Sequence, residues 1–232
     1  MAAFNRTFVL VHGAWGGGWI WKDTASILRE RGHTVLTPTL TGVGERSHLA
    51  GPGVNLSTHI QDIASCLQWE ELHGRGVTLV GHSYGGMVIS GVCEAVPEGT
   101  VDSLVYLDAA VPQDGQSMFA YANRPMENLP AMHPVREGAG AFMTAERQAW
   151  FLRMLTPQPM ATFTEPVRLA GARDRIRVKT FIKARDGTIS LDVAARLKDD
   201  PDWRYEVLPC GHDTQLELPE ETADALERAA LA

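Results

Sequence analysis

The stretch Val77-Thr78-Leu79-Val80-Gly81-His82-Ser83-Tyr84-Gly85-Gly86 decides how the rest of the chain is read. An apolar run with β-propensity leads into Gly-His-Ser-Tyr-Gly, and a segment of helical periodicity, residues 87–96, leads out of it. The five-residue pattern recurs by chance in many proteins; the strand before it and the helix after it give it meaning. A serine at the tip of a sharp strand-to-helix turn sits in strained backbone. The residues two places before and after it must be small, because a β-carbon there would meet the returning chain. Gly81 and Gly85 satisfy that requirement. The same turn aims the first amide N–H groups of the helix at any anion that forms on the serine. Ser83 is therefore the candidate nucleophile.

Working outward, strand-like and helix-like runs alternate. Strands are expected at residues 7–11, 34–36, 77–80, 103–107, 178–184 and 205–208. Helices are expected at 21–31, at 57–72 with Ser57 as N-cap, and at 217–231. Such alternation predicts an α/β fold, with a mostly parallel central sheet covered by helices on both faces. A long Gly- and Thr-rich loop fills 38–56, where Arg46 is expected to brace the loop by ion pairing. The segment 111–166 breaks the alternation and holds six of the eight methionines together with Phe119, Phe142, Trp150, Phe151 and Phe163. One domain spanning 1–232 is expected, with 111–166 inserted as a small helical cap above the C-terminal ends of the strands, where ligands bind in open α/β sheets. Its methionines would either line an adaptable apolar pocket or pack the cap onto the body.

The 232 residues, 44% hydrophobic and 21% charged, suit a globular domain with a full core, and the net charge of −7 argues against a nucleic-acid or anionic-membrane partner. The three scattered cysteines, Cys66, Cys93 and Cys210, fit neither a disulfide framework nor a zinc site. With no apolar signal segment at the start and no run long enough to span a bilayer, a cytoplasmic monomer or homodimer is expected.

A serine at its free pKa needs a base, and the base needs an acid that fixes its tautomer. On this architecture the chain order is serine, acid, histidine. Only His133 and His212 follow Ser83. His212, in Pro209-Cys210-Gly211-His212-Asp213, directly follows a strand and can return to the serine, so it is the candidate base. His133 lies in the cap with nothing nearby in sequence to hold it. Two acids end strands: Asp186 after residues 178–184 and Asp108 after 103–107. Asp186 is preferred, one strand before His212, and Asp108 is the alternative. For the developing oxyanion, the backbone N–H groups of Ala14, in the loop after the first strand, and Tyr84, after the nucleophile, are the candidate donors. His12 is expected to buttress that first loop. The run Gly16-Gly17-Gly18 lacks the spacing of a dinucleotide loop, and no acid ends the second strand to hold a ribose.

With these residues in place the chain resembles the α/β-hydrolase superfamily along nearly its full length. The stretches Leu10-Val11-His12-Gly13-Ala14-Trp15-Gly16-Gly17-Gly18-Trp19-Ile20-Trp21 and Gly81-His82-Ser83-Tyr84-Gly85-Gly86 look like the branch of plant methylesterases, hydroxynitrile lyases and small bacterial esterases. Residues 39–48 look like its bacterial esterases. The resemblance implies Asp186 as the acid and a reaction without cofactor or metal. The branch's lyases carry a threonine after the first-loop histidine and a lysine after the catalytic one; here those places hold Gly13 and Asp213, and a carboxylate beside His212 would oppose the departure of cyanide. An aspartate nucleophile, as in dehalogenases and epoxide hydrolases, is replaced by Ser83. The expectation is a serine esterase acting on small to medium carboxylic esters through an acyl-enzyme. Two alternatives stand beside it: C–C cleavage, lyase or cyclase chemistry at the same site, and a non-catalytic small-molecule receptor.

Overall fold

The computed structural model of the chain describes residues 5–187 and 191–230. Residue 231, at the end of the expected last helix, lies outside them. Six strands form one parallel sheet: β1 (Thr7–Val11), β2 (Thr34–Leu36), β3 (Val77–His82), β4 (Val101–Leu107), and two more beyond the insertion. The insertion carries a two-residue antiparallel ribbon, β5 (Met132–His133) with β6 (Gln158–Pro159). The main sheet resumes with β7 (Val178–Ala184) and β8 (Arg204–Leu208), in the spatial order β2-β1-β3-β4-β7-β8.

Helices α1 (Lys22–Glu30), α2 (Leu56–Trp69) and α3 (Gly85–Ala95) alternate with the first strands. The insertion adds α4 (Met118–Tyr121), α5 (Ala145–Met154) and α6 (Ala161–Thr164), so the cap is helical with a small β-ribbon. The chain ends with α7 (Leu191–Lys198), α8 (Thr214–Glu217) and α9 (Pro219–Ala230).

Successive strand residues point to opposite faces, and the core divides accordingly. Val9, Leu79, Leu104 and Phe181 pack with Ile63 of α2 and Val88 of α3. Phe8, Leu10, Val105 and Ile182 pack on the other side with Leu28 of α1 and Leu226 of α9. Both faces are covered, which is why the strands read as unbroken apolar runs.

Two element ends differ from the sequence expectation. Asn55, not Ser57, caps α2: its side chain accepts from the Thr58 N–H at 2.9 Å, while the Thr58 hydroxyl accepts from the Asn55 N–H. That reciprocal box uses two otherwise orphaned donors, which Ser57 in the first turn cannot match. The terminal helix, expected from 217, begins at Pro219, which suits a first turn and cannot continue the short helix α8 before it. Arg46 braces its loop as expected, donating to the Thr39 carbonyl at 2.7 Å and pairing with Asp62 at 3.3 Å.

Candidate active site

Ser83 stands between β3 and α3 with φ of 54°, the left-handed region a non-glycine residue enters only when its surroundings compel it. The compulsion is visible. A Cβ on Gly81 would lie 2.7 Å from the Gly85 carbonyl, and one on Gly85 would lie 2.8 Å from the Val11 carbonyl oxygen. The Ser83 carbonyl accepts from Gly86 N–H at 3.1 Å and Ala110 N–H at 3.0 Å. The turn is thus clamped between two strands and its own helix, and Ser83 opens onto a cavity of about 1110 Å³.

His212 lines the same cavity from the loop after β8. Its ring lies 4.6 Å from that of His82, whose Nε2 pairs with the His212 carbonyl at 3.0 Å. Its Nδ1 meets Asp108 Oδ2 at 2.7 Å. The expected pairing with Asp186 is therefore corrected. The Asp186 carboxylate faces outward and takes two hydrogen bonds from the Arg185 guanidinium. Asp108 follows β4, which sits directly beside the elbow strand β3, and its φ of 41° turns the carboxylate under the His212 loop. Asp186 lies two residues past β7, on the far side of β4 from the serine.

Asp108 is fully buried. Its second oxygen accepts from Lys183 Nζ at 2.6 Å and the Ala184 N–H at 3.3 Å. The ammonium is itself satisfied, donating also to the carbonyls of Ala184 at 2.6 Å and Gly187 at 2.8 Å. Gly187 is required here, since a Cβ on it would fall 2.2 Å from Asp108 Oδ2. Burial opposes the charge on Asp108, but the hydrogen bonds and charges of His212 and Lys183 outweigh it, and the carboxyl lies below its ordinary pKa. Burial works against an imidazolium at His212 too. The bond to Asp108 and the nearby Asp213 prevail, and its pKa lies above the ordinary 6.5. Burial pushes the Asp213 carboxyl up to about 6.

The backbone N–H groups of Ala14 and Tyr84 belong to residues of the cavity wall, and among the described residues neither has a hydrogen-bond partner. His12 holds the first loop from behind: its Nε2 accepts from the Leu40 N–H at 3.0 Å, which leaves the proton on Nδ1 to donate to the Gly13 carbonyl at 2.7 Å. Burial lowers its pKa to about 4, so the ring is neutral.

Above the serine the wall is aromatic more than methionine-rich. Met118 lines the cavity, whereas Met160 is buried in the core and Met126 and Met154 are exposed. His133 is not the unsupported residue its sequence neighbours suggest. It sits among Trp15, Phe119 and Phe163 at ring separations of 5.3, 5.5 and 4.6 Å.

Lys183 and Gln158 went unnoticed in the sequence. Lys183 had a signal: a charge inside the buried run Phe181-Ile182-Lys183-Ala184 must be paired. Gln158, wholly buried between two prolines, had none until the ribbon was seen. Among the described residues, no group of three or more His, Cys, Asp or Glu side chains is placed to hold a metal ion.

Comparison with known proteins agrees with this architecture. A carbendazim hydrolyzing esterase from Nocardioides sp. (strain SG-4G) is 41% identical over 240 residues, covering 94% of this chain and 97% of the relative. An extracellular α/β-hydrolase from a Paenibacillus species, described as sharing structural and functional homology with tobacco salicylic acid binding protein 2, superposes with a TM-score of 0.79. That match is 25% identical and covers 98% of this chain and 100% of the other. The methylesterase MES16 from Arabidopsis shares the fold, with a TM-score of 0.79 at 22% identity over 97% of this chain and 98% of its own. The family model for the alpha/beta hydrolase family matches residues 8–225, and the chain belongs to that family.

Proposed function

We propose that the chain is a cofactor-independent carboxylic ester hydrolase working through an acyl-enzyme on Ser83. His212 takes the serine proton as the hydroxyl attacks the ester carbonyl. Asp108, in place of the Asp186 expected from sequence, holds the imidazole tautomer and supports the imidazolium. The tetrahedral anion lies against the N–H groups of Ala14 and Tyr84. Its collapse expels the alcohol with the proton from His212, and water then repeats the sequence on the acyl-enzyme.

The observation that carries this reading is the 2.7 Å bond between His212 Nδ1 and a buried, anionic Asp108, in the wall of the cavity onto which the strained Ser83 opens. The 41% identical relative, named as an esterase, supports ester cleavage. Trp15, Phe119, His133 and Phe163 favour an ester with a flat apolar or aromatic acyl or alcohol part. A cytoplasmic setting belongs to the same proposal, and the free thiols of Cys66, Cys93 and Cys210 support it.

The test is Ser83→Ala with a p-nitrophenyl ester and a fluorophosphonate. Hydrolysis and covalent labelling should both vanish while the thermal transition stays in place. Turnover at the wild-type rate in the folded variant would overturn the mechanism.

A further inference from the structure

Trp15 follows Ala14, the residue whose N–H forms half of the proposed anion site, and its φ is 63°. A bulky residue does not stay in that conformation unless something holds it. The hold comes from the cap. Trp15 N–H donates to Gln158 Oε1 at 2.8 Å, and the Thr156 N–H donates to the Trp15 carbonyl at 3.0 Å. Both backbone polar groups of one loop residue are thus bonded by a single stretch of the insertion.

The amide of Gln158 can face only one way. Its nitrogen donates to Thr162 Oγ1 at 2.8 Å, and that hydroxyl spends its own proton on the Pro159 carbonyl at 2.7 Å. The oxygen must therefore face Trp15. Thr156 is anchored in turn, its hydroxyl accepting from the Gly44 N–H at 2.9 Å. In the ribbon Gln158 is the register partner of His133, and the Trp15 indole packs edge-on against that imidazole and at 5.9 Å from Phe163. The ribbon that presents His133 to the cavity thus also fixes, through Gln158, the backbone beside the anion site.

We propose that Gln158 is a positioning residue, through which the cap sets the oxyanion hole by clamping the backbone of Trp15. The inference rests on the esterase reading given above. A hydrogen-bond donor stabilises a developing oxyanion only when it is already aimed, so releasing the clamp should cost rate and not binding.

Gln158→Met and Gln158→Glu separate this role from mere packing. Methionine keeps the length and loses the acceptor. Glutamate keeps an oxygen for Trp15 N–H, and Thr162 can turn its hydroxyl towards the other oxygen. In Gln158→Met, kcat on a p-nitrophenyl ester and the rate of fluorophosphonate labelling should fall about 10- to 100-fold, less than the roughly 100- to 1000-fold cost of removing an oxyanion donor outright, because the donor is misaimed and not lost. KM should stay within about threefold, and amide exchange at Trp15 should accelerate, since the amide loses its acceptor. Gln158→Glu should restore rate and protection to within several-fold of wild type. Equal losses in both variants, or an unchanged kcat in Gln158→Met, would overturn the proposal. A wild-type protein that neither hydrolyses esters nor labels at Ser83 would overturn the reaction itself. Unaltered Trp15 exchange in Gln158→Met overturns the clamp whatever the activity.

Discussion

In the proposed mechanism the chemistry turns on Asp108. Its two oxygens are divided between an imidazole and an ammonium, at 2.7 and 2.6 Å. Asp108→Asn would keep the shape, lose the charge that supports the imidazolium, and allow the wrong His212 tautomer. The expected loss in kcat is about 10³- to 10⁴-fold. The variant also strands the buried charge of Lys183, at about 3–5 kcal/mol of stability, so rates must be compared on protein shown to be folded. Asp186→Asn, made in parallel, should change kcat by less than about threefold, because its carboxylate faces outward and, among the described residues, bonds the neighbouring Arg185 side chain. Reversal of that pattern would return the role to Asp186.

Lys183 acts on the same pair through charge. The groups bearing on His212 are Asp108, Asp213 and Lys183, with the neutral His82 ring tilted against it at 4.6 Å. Burial and the lysine lower the pKa of His212, and the carboxylates raise it above 6.5. A base works only when unprotonated, so kcat/KM should fall as pH drops through that raised value. Lys183→Met removes one of the lowering influences, and the acid limb of kcat/KM should move to higher pH. A limb that stays in place, in folded protein, would deny the lysine any electrostatic part.

At the scale of elements, what could be read depended on whether the signal was local. Strands buried on both faces and helices with an apolar stripe announce themselves by period, and β1, β3, β4 and β7 fall within a few residues of where their apolar runs predict. The elbow was legible because its five-residue pattern is local, and the bar on a Cβ at Gly81 comes from the Gly85 carbonyl four residues on, although Gly85 itself answers to the Val11 carbonyl of a neighbouring strand. Cap boxes were less so: Ser57 suits a cap by residue type, and only the reciprocal bonds of Asn55 and Thr58 put the cap two residues earlier. The choice between Asp108 and Asp186 was not local at all. Both end strands of the same sheet, and only the spatial order, with β4 between the elbow strand and β7, sets one beneath His212 and turns the other to solvent. The buried lysine next to last in β7 was the available clue, since its charge required a buried acid nearby. The ribbon of β5 and β6 was beyond reach: two residues per strand give no periodicity, and prolines on either side of Gln158 read as loop.

For the whole molecule, the consequence of this design is a fold that carries several uncharged imidazoles in its interior. Burial lowers His12 to about 4 and His82 to about 3, and it lowers His59 as well. Each refuses a proton that the unfolded chain, titrating near 6.5, accepts. Their contribution to stability is therefore complete above that pH and is lost as pH falls towards the folded values. By pH 4 the depressions at His12 and His82 each amount to about 3 kcal/mol. Asp213, raised to about 6, works in the opposite sense and returns about as much as one of them over the same interval. The raised pKa of His212 also favours the fold in acid, whereas the lowered pKa of Asp108 withdraws stability only below the ordinary carboxylate range. The balance is a net loss between pH 6.5 and 4, ahead of general carboxylate protonation. Urea unfolding followed at pH 7.5, 6, 5 and 4 should show the midpoint falling steadily across this window with the slope unchanged. His12→Gln cannot take up the proton, and its amide can still accept from the Leu40 N–H, so its midpoint should fall less steeply with pH even if it starts lower. Parallel pH curves for that variant and the wild type would mean that the buried rings do not govern acid stability.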